Sequence, residues 1–142
     1  MLFDGDSDCP AELGPAVQGW ATEAAGEVPC AVVIAHREYE AWFLAAIESL
    51  RGHRNVRSDA EAHPHPENPR GAKEQFELRM HPGSSYIETT DQSAFSARLS
   101  LSAAYCRSRS FRKLASSFGN LVRSMGHDID AWPPPAWTAG AS

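Results

Sequence analysis

Cysteine is scarce in this chain. Cys9, Cys30 and Cys106 are odd in number and far apart, and no CxxC pair exists. That excludes a zinc knuckle and a thioredoxin-type dithiol, and leaves free thiols, expected to be buried, in a reducing cytoplasm. Long apolar runs are also missing. None approaches the ~18 residues of a membrane span, so no membrane partner is expected. These residues do not open with a basic stretch and an apolar core, as a secretory signal would. There is no Gly-x-Ser-x-Gly elbow, P-loop or internal repeat. Positive charge is not in excess: the formal net charge is -5. Such a chain does not coat nucleic acid by bulk charge, although a local basic patch can still bring a polynucleotide to an acidic metal site. His63 and His65 lie in a loop without cysteine or carboxylate at ligand spacing, so zinc is not expected there.

What is present is the composition of a globular domain, 42% apolar and 22% charged over 142 residues. Leu2 and Phe3 read as the end of a buried strand. Asp4-Gly5-Asp6-Ser7-Asp8 follows as an acidic turn. Pro10 suits a first helical position, with Asp8 or Cys9 as the cap. Leu13, Val17, Trp20 and Ala24 then give one apolar face to a helix over 10–25, which Gly26 ends. Residues 29–35 are an unbroken, β-branched apolar run, the pattern of a strand buried on both faces in a parallel sheet. Glu38 opens a second helix in which Trp42, Phe43, Ala46, Ile47 and Leu50 form a broad apolar stripe, with Trp42 and Phe43 as core residues.

Residues 52–70, rich in proline, histidine and charge, read as a surface loop. A short helix is expected over 71–80, a turn over 81–85, and two helices over 92–106 and 110–125. Ser110 is the expected cap of the last helix, and Phe111, Leu114, Ala115, Phe118, Leu121 and Val122 its buried face. From Gly126 the pattern fades, and Pro133-Pro134-Pro135 reads as part of a disordered tail over 126–142. The grammar is α/β: a partial parallel sheet flanked by helices, a helical carboxyl half, and functional groups at the carboxyl ends of the strands.

Asp4 and Asp6 are one residue apart at a strand end. On extended backbone, i and i+2 point the same way, so two carboxylates converge. Like charges so close favour a cation between them, and Mg²⁺ or Mn²⁺ is the natural occupant. Asp8 is a third ligand or a helix cap. Three motifs fit a strand followed by D-x-D. A calcium-binding EF-hand loop fails, because Cys9 and Pro15 stand where it needs glycine and glutamate. A haloacid-dehalogenase-type phosphatase would use Asp4 as nucleophile and Asp6 as acid/base. The TOPRIM fold would use both carboxylates to bind a metal for phosphodiester chemistry.

The segments FDGDSDCPAELGP, AVVIAHREYEAWFLAAIESLRG, RGAKE, Tyr86 with Asp91-Gln92, and RSFRKL together resemble a bacterial TOPRIM-like family, domain of unknown function 4276, over nearly all of residues 1–125. The resemblance implies a Mg²⁺- or Mn²⁺-dependent nuclease, in a setting of ATPase partners and phage defence. By position it assigns Asp4, Asp6 and Glu38 to catalysis. Asp4, Asp6, Asp8, Glu38 and Glu40 become metal ligands, and Lys73, Arg112 and Lys113 phosphate-facing charges on a DNA or RNA substrate. A TOPRIM domain also has an earlier strand ending in glutamate. Nothing precedes Leu2 but Met1, so a domain lacking its amino-terminal strand is expected over 1–125. That gap favours a second expectation, a catalytically degenerate module that partners an ATPase or a second copy through an open strand edge.

Overall fold

The computed structural model describes residues 1–139. It is a mixed α/β fold, about half helical, around a two-stranded parallel sheet. Strand β1 (Leu2–Asp4) leads through the acidic turn into helix α1 (Pro10–Ala25), which crosses back to β2 (Val33–Ala35). Leu2 pairs with Val33, Phe3 with Ile34 and Asp4 with Ala35. The strand expected over 29–35 is thus ordered as a ladder only in its second half. Gln18 takes over the first half: its amide oxygen accepts from the Val32 N–H (2.7 Å) and its Nε2 donates to the Cys30 carbonyl (3.3 Å).

Helix α1 has the expected bounds but a rotated face. Leu13, Gly14, Val17, Gln18, Ala21 and Ala25 are half-buried, while Ala24 is exposed and Trp20 is 67% exposed. The covered stripe follows i, i+4 from Leu13, because Gln18 is drawn toward β2. The thiols depart from expectation as well: Cys9 is exposed, and Cys30 and Cys106 are half-buried.

Helix α2 (Glu40–Ala45) starts two residues after Glu38 and gives way to a 3₁₀ turn (Ile47–Leu50). It is buried on every side rather than along one stripe. Such a helix is core, and Trp42 and Phe43 are core as expected. Phe43 packs on Phe76 (5.6 Å between ring centres) and Phe95 (5.7 Å), and Trp42 meets Phe111 edge-on (5.1 Å). The Trp42 indole N–H donates to Ser110 Oγ at 2.8 Å, so the largest buried ring leaves no donor unmet.

Residues 52–70 carry no regular element, as expected of a loop, yet Val56, Ala60 and Pro66 are buried. Helix α3 (Ala72–Glu77) is shorter than the reading over 71–80. The helix expected over 92–106 is two helices, α4 (Glu88–Ser96) and α5 (Leu101–Arg107). Ser100 caps α5 by accepting from the Ala103 N–H. Helix α6 (Arg109–Ser124) is capped by Ser108, two positions before the expected cap Ser110. Phe111 and Ala115 are buried on it, but Phe118 is 50% exposed. Within the expected tail, α7 (Pro135–Thr138) folds back: Trp132 Nε1 donates to the Ala115 carbonyl at 2.7 Å, and Trp137 packs on Tyr105. Residues 140–142 lie outside the described residues. No helix among the described residues is long and apolar enough to cross a membrane.

One long-range tie joins the loop to α6. The Glu67 carboxylate accepts from the Ser110 N–H (2.7 Å), the Arg109 N–H (3.2 Å) and the hydroxyls of Ser108 and Ser110. Burial alone raises a carboxyl, but here the hydrogen bonds from Ser110 and Ser108 outweigh it and hold Glu67 below the usual range. A depressed carboxylate adds stability above its unfolded pKa, and the gain is lost as pH falls through the folded value. Glu67→Ala is expected to cost about 1–2 kcal/mol at pH 7, as for a lost helix cap. In urea titrations the gap between the two proteins should close as pH is lowered below 4. A gap unchanged by acid would show that the carboxylate's charge is not what secures α6.

Candidate metal centre

The acidic turn begins where β1 stops. Gly5 is buried and its N–H donates to the Ala35 carbonyl at 3.0 Å; a Cβ there would meet that oxygen and Ile34 Cγ2, both at 3.0 Å. Only glycine lets the turn lie this close to β2. Asp6 then adopts φ +46° and its N–H donates to the Arg37 carbonyl. The extended i, i+2 geometry expected for Asp4 and Asp6 therefore does not hold, because the strand ends at Asp4. Asp4 still feels the Asp6 charge. Asp8 is exposed, and its N–H closes the turn on the Gly5 carbonyl. The capping position of α1 is Cys9, and no side chain bonds the first amides of that helix.

Glu40 lies in the first turn of α2 and is fully buried. Its Oε1 accepts from the Tyr86 hydroxyl at 2.7 Å and from Gln92 Nε2 at 3.4 Å. Its Oε2 is buried with no donor. Burial and the bond to Glu40 push the Tyr86 hydroxyl far above its ordinary pKa, so the phenol remains a donor. Asp4 is beside this group. Burial first, then the Glu40 charge and a smaller push from Asp6, raise the Asp4 carboxyl; the Tyr39 amide and the Lys73 charge oppose them.

Glu38 precedes α2 and reaches the start of α3. Its Oε1 accepts from the Gly71 N–H and its Oε2 from the Lys73 N–H, both at 3.1 Å. Gly71, at φ +77°, turns its amide toward Glu38 in a conformation that favours glycine. This clamp sets Lys73 beside the acidic group. The Lys73 ammonium donates to Glu88 at 2.6 Å, and that bond, with the charges of Glu40 and Glu38, raises its pKa.

The structure thus brings Asp4, Asp6, Glu38, Glu40 and Lys73 to the carboxyl end of the sheet. Arg112 is elsewhere and has a different task. Its guanidinium donates to the Tyr105 and Cys106 carbonyls, at the carboxyl end of α5, where a cation also suits the helix dipole. Lys113 is exposed on α6 and lines a separate groove. Tyr86 and Gln92 are parts of the centre that no motif identified. They stood among the recognisable segments, but nothing in their spacing said that they meet Glu40 in the first turn of α2.

Among the described residues no three His, Cys, Asp or Glu side chains are arranged to hold a metal ion. Asp4 and Glu40 still suit a hard divalent cation. Mg²⁺ is usually bound through one or two carboxylates, with water and substrate phosphate completing the shell. The Glu40 Oε2, buried and without a donor among the described residues, on a residue whose charge raises the Asp4 carboxyl at the exposed end of β1, is a place where positive charge is missing. A carboxyl raised on folding costs stability once pH exceeds its unfolded pKa. Asp4→Asn is therefore expected to raise Tm by about 1–2 °C at pH 7 in EDTA, with the difference vanishing near pH 3. A lower Tm for the variant at pH 7 would show that Asp4 is not under electrostatic strain.

No curated protein and no solved structure matches the chain. The model of one family, described as a domain of unknown function (DUF4276), matches residues 1–118. That span holds both strands, the acidic turn and every residue of the centre, and the chain belongs to this family.

Proposed function

We propose that the chain is a TOPRIM-like, divalent-metal-dependent hydrolase of phosphodiester bonds in nucleic acid, with Mg²⁺ or Mn²⁺ held by Asp4 and Glu40. The observation that carries this reading is the buried Glu40 Oε2, which meets no donor among the described residues, on a residue whose charge raises the Asp4 carboxyl. An isolated carboxylate oxygen in the core costs free energy unless a cation or donor meets it. When bound, the metal supplies Lewis-acid polarisation of a phosphoryl oxygen and a more acidic water.

The remaining residues serve that centre. Tyr86 and Gln92 fix Glu40 through its other oxygen, which leaves Oε2 for the ion. Glu38 pins α3 and so positions Lys73, whose ammonium neutralises phosphate charge after leaving the exposed Glu88. Asp6 and Asp8 are exposed on the turn that follows Asp4 and would add negative charge in support of the ion. An ATPase partner and a role in phage defence belong to this reading through the family resemblance.

Millimolar Mg²⁺ or Mn²⁺ is expected to raise Tm by several degrees in the wild type and not in Asp4→Asn or Glu40→Gln. Cleavage of oligonucleotides should fall at least about 100-fold in both variants. If neither ion shifts the wild-type Tm or binds by calorimetry, the metal reading is wrong.

One observation favours a second reading, an interaction module. β1 has a single neighbour in the sheet, and Leu2 and Phe3 beside its free edge are 39% and 40% exposed. An unpaired edge is a template for another strand. On this reading light scattering finds a stable homodimer or ATPase complex, and Phe3→Lys dissociates it without changing any metal response.

A further inference from the structure

A second groove is separate from the acidic group. It has a volume of about 550 Å³ and lies where three segments meet: the start of α1 (Cys9, Pro10), the end of β2 (Ile34, His36), and the start of α6 (Arg109, Lys113). The first of these segments continues directly from the acidic turn. Cys9 is the fifth residue after Asp4, a span of at most about 17 Å even if fully extended, and the Asp8-to-Gly5 hydrogen bond folds it more tightly. The groove therefore opens at the same, carboxyl, end of the sheet as Asp4, the usual place for ligands in α/β folds.

Its charge is the informative part. Arg54, Arg57, Lys73 and Arg107 are paired with carboxylates. Arg51, Arg79 and Arg112 donate to backbone carbonyls. Arg37, Arg70, Arg98, Arg109, Lys113 and Arg123 do neither among the described residues; of these only Arg109 and Lys113 line the groove, and both are exposed on the first two turns of α6. The carboxylate in the groove wall, Glu67, has its oxygens turned to the Ser110 and Arg109 amides and two serine hydroxyls. Its oxygens are engaged by α6 and make no ion pair with Arg109 or Lys113, so the groove lining carries two cations and His36 against one anion. Cations without partners, four residues apart on one helix face, match the repeated anions of a phosphodiester backbone.

We infer that this groove seats the phosphate backbone of a single polynucleotide strand, with Arg109 and Lys113 each neutralising one phosphate and His36 beside them. The inference rests on the phosphodiesterase reading for its purpose and replaces Arg112, which α5 occupies, by Arg109 as the partner of Lys113. A groove of this volume is the size that takes a small ligand or one or two nucleotides, and is too small for a duplex.

The test is fluorescence anisotropy with a labelled oligodeoxynucleotide about eight nucleotides long, in EDTA, over 50–200 mM salt. Wild-type protein should bind it more tightly than the same sequence as a duplex. In Arg109→Ala/Lys113→Ala, affinity should drop about tenfold or more, and the salt slope should fall by about 1.4, since each single-strand phosphate contact contributes ~0.7. Arg123→Ala, on the same helix but outside the groove, should bind as wild type. Equal binding by the double variant, preference for the duplex, or no wild-type binding would each overturn the inference. The Mg²⁺-dependent rise in Tm of the double variant separates this failure from failure of the metal reading. If that rise persists while oligonucleotide binding is unaffected, the metal centre stands and the groove assignment falls.

Discussion

A carboxylate lies in the middle of this protein's aromatic core. Glu40 is fully buried on a helix whose other residues are Ala, Trp, Phe and Leu. Burying such a group is unfavourable unless it is hydrogen-bonded and its charge met. Much of the surrounding architecture satisfies half of that demand. Tyr86, at the entry to α4, and Gln92, within α4, both reach the same oxygen, so the placement of α4 depends on a polar contact within an apolar interior. The other oxygen is left without a protein donor. A purely structural carboxylate would gain from a second donor, and a volume-matched apolar residue would avoid the cost altogether. The arrangement is economical for a group that holds a cation.

The periphery repeats the device in a milder form. Two further carboxylates bind backbone amides across long sequence separations, Glu38 at the start of α3 and Glu67 at the start of α6, while Asp91 meets the nearby Ile87 amide and holds the distant Arg54 on its other oxygen. Each supplies acceptors to helix amides that have none within the helix. Acidic residues therefore act as staples in a chain whose sheet has only two short strands, and the long loop before α3 is held at both ends. The same staples arrange charge. Glu38 brings Lys73 to the acidic group, and Glu67 engages the α6 amides while leaving Arg109 and Lys113 unpaired.

Much of the fold was legible along the sequence. The β-branched run over 29–35, the Pro10 start and the Gly26 stop are local signals, and they located β2 and α1. Trp42 and Phe43 were legible as core because apolar residues crowd together there. The errors have a common cause. The separation of α4 from α5 depends on Ser100 capping α5, on the Ser49 hydroxyl that the Ser100 amide meets from the 3₁₀ turn, and on the buried neighbours of Phe95 and Leu99, and no period of the sequence records it. The rotated face of α1 follows from Gln18 bonding β2, and the recruitment of Trp132 and Trp137 follows from the shape of the α5–α6 surface. Arg112 was assigned to phosphate by its position in the family's segments, and the carbonyl pair that its guanidinium meets at the end of another helix is not visible in a sequence.

The sequence alone determined that an acidic turn follows a strand, expected to be buried but exposed in the fold, that a second acidic pair follows the next strand, and that the chain carries its family's recognisable segments in order. Those are one-dimensional facts, set by residue type and spacing. Which carboxylates share a charge environment was decided only by the tertiary structure. Asp6 turns into a left-handed conformation, Glu38 is drawn to α3, and Asp4 is left beside Glu40 with Tyr86 and Gln92 closing the other side. The reason is that electrostatic energy depends on distance and on local dielectric, and both are fixed by packing between segments that lie tens of residues apart in the chain.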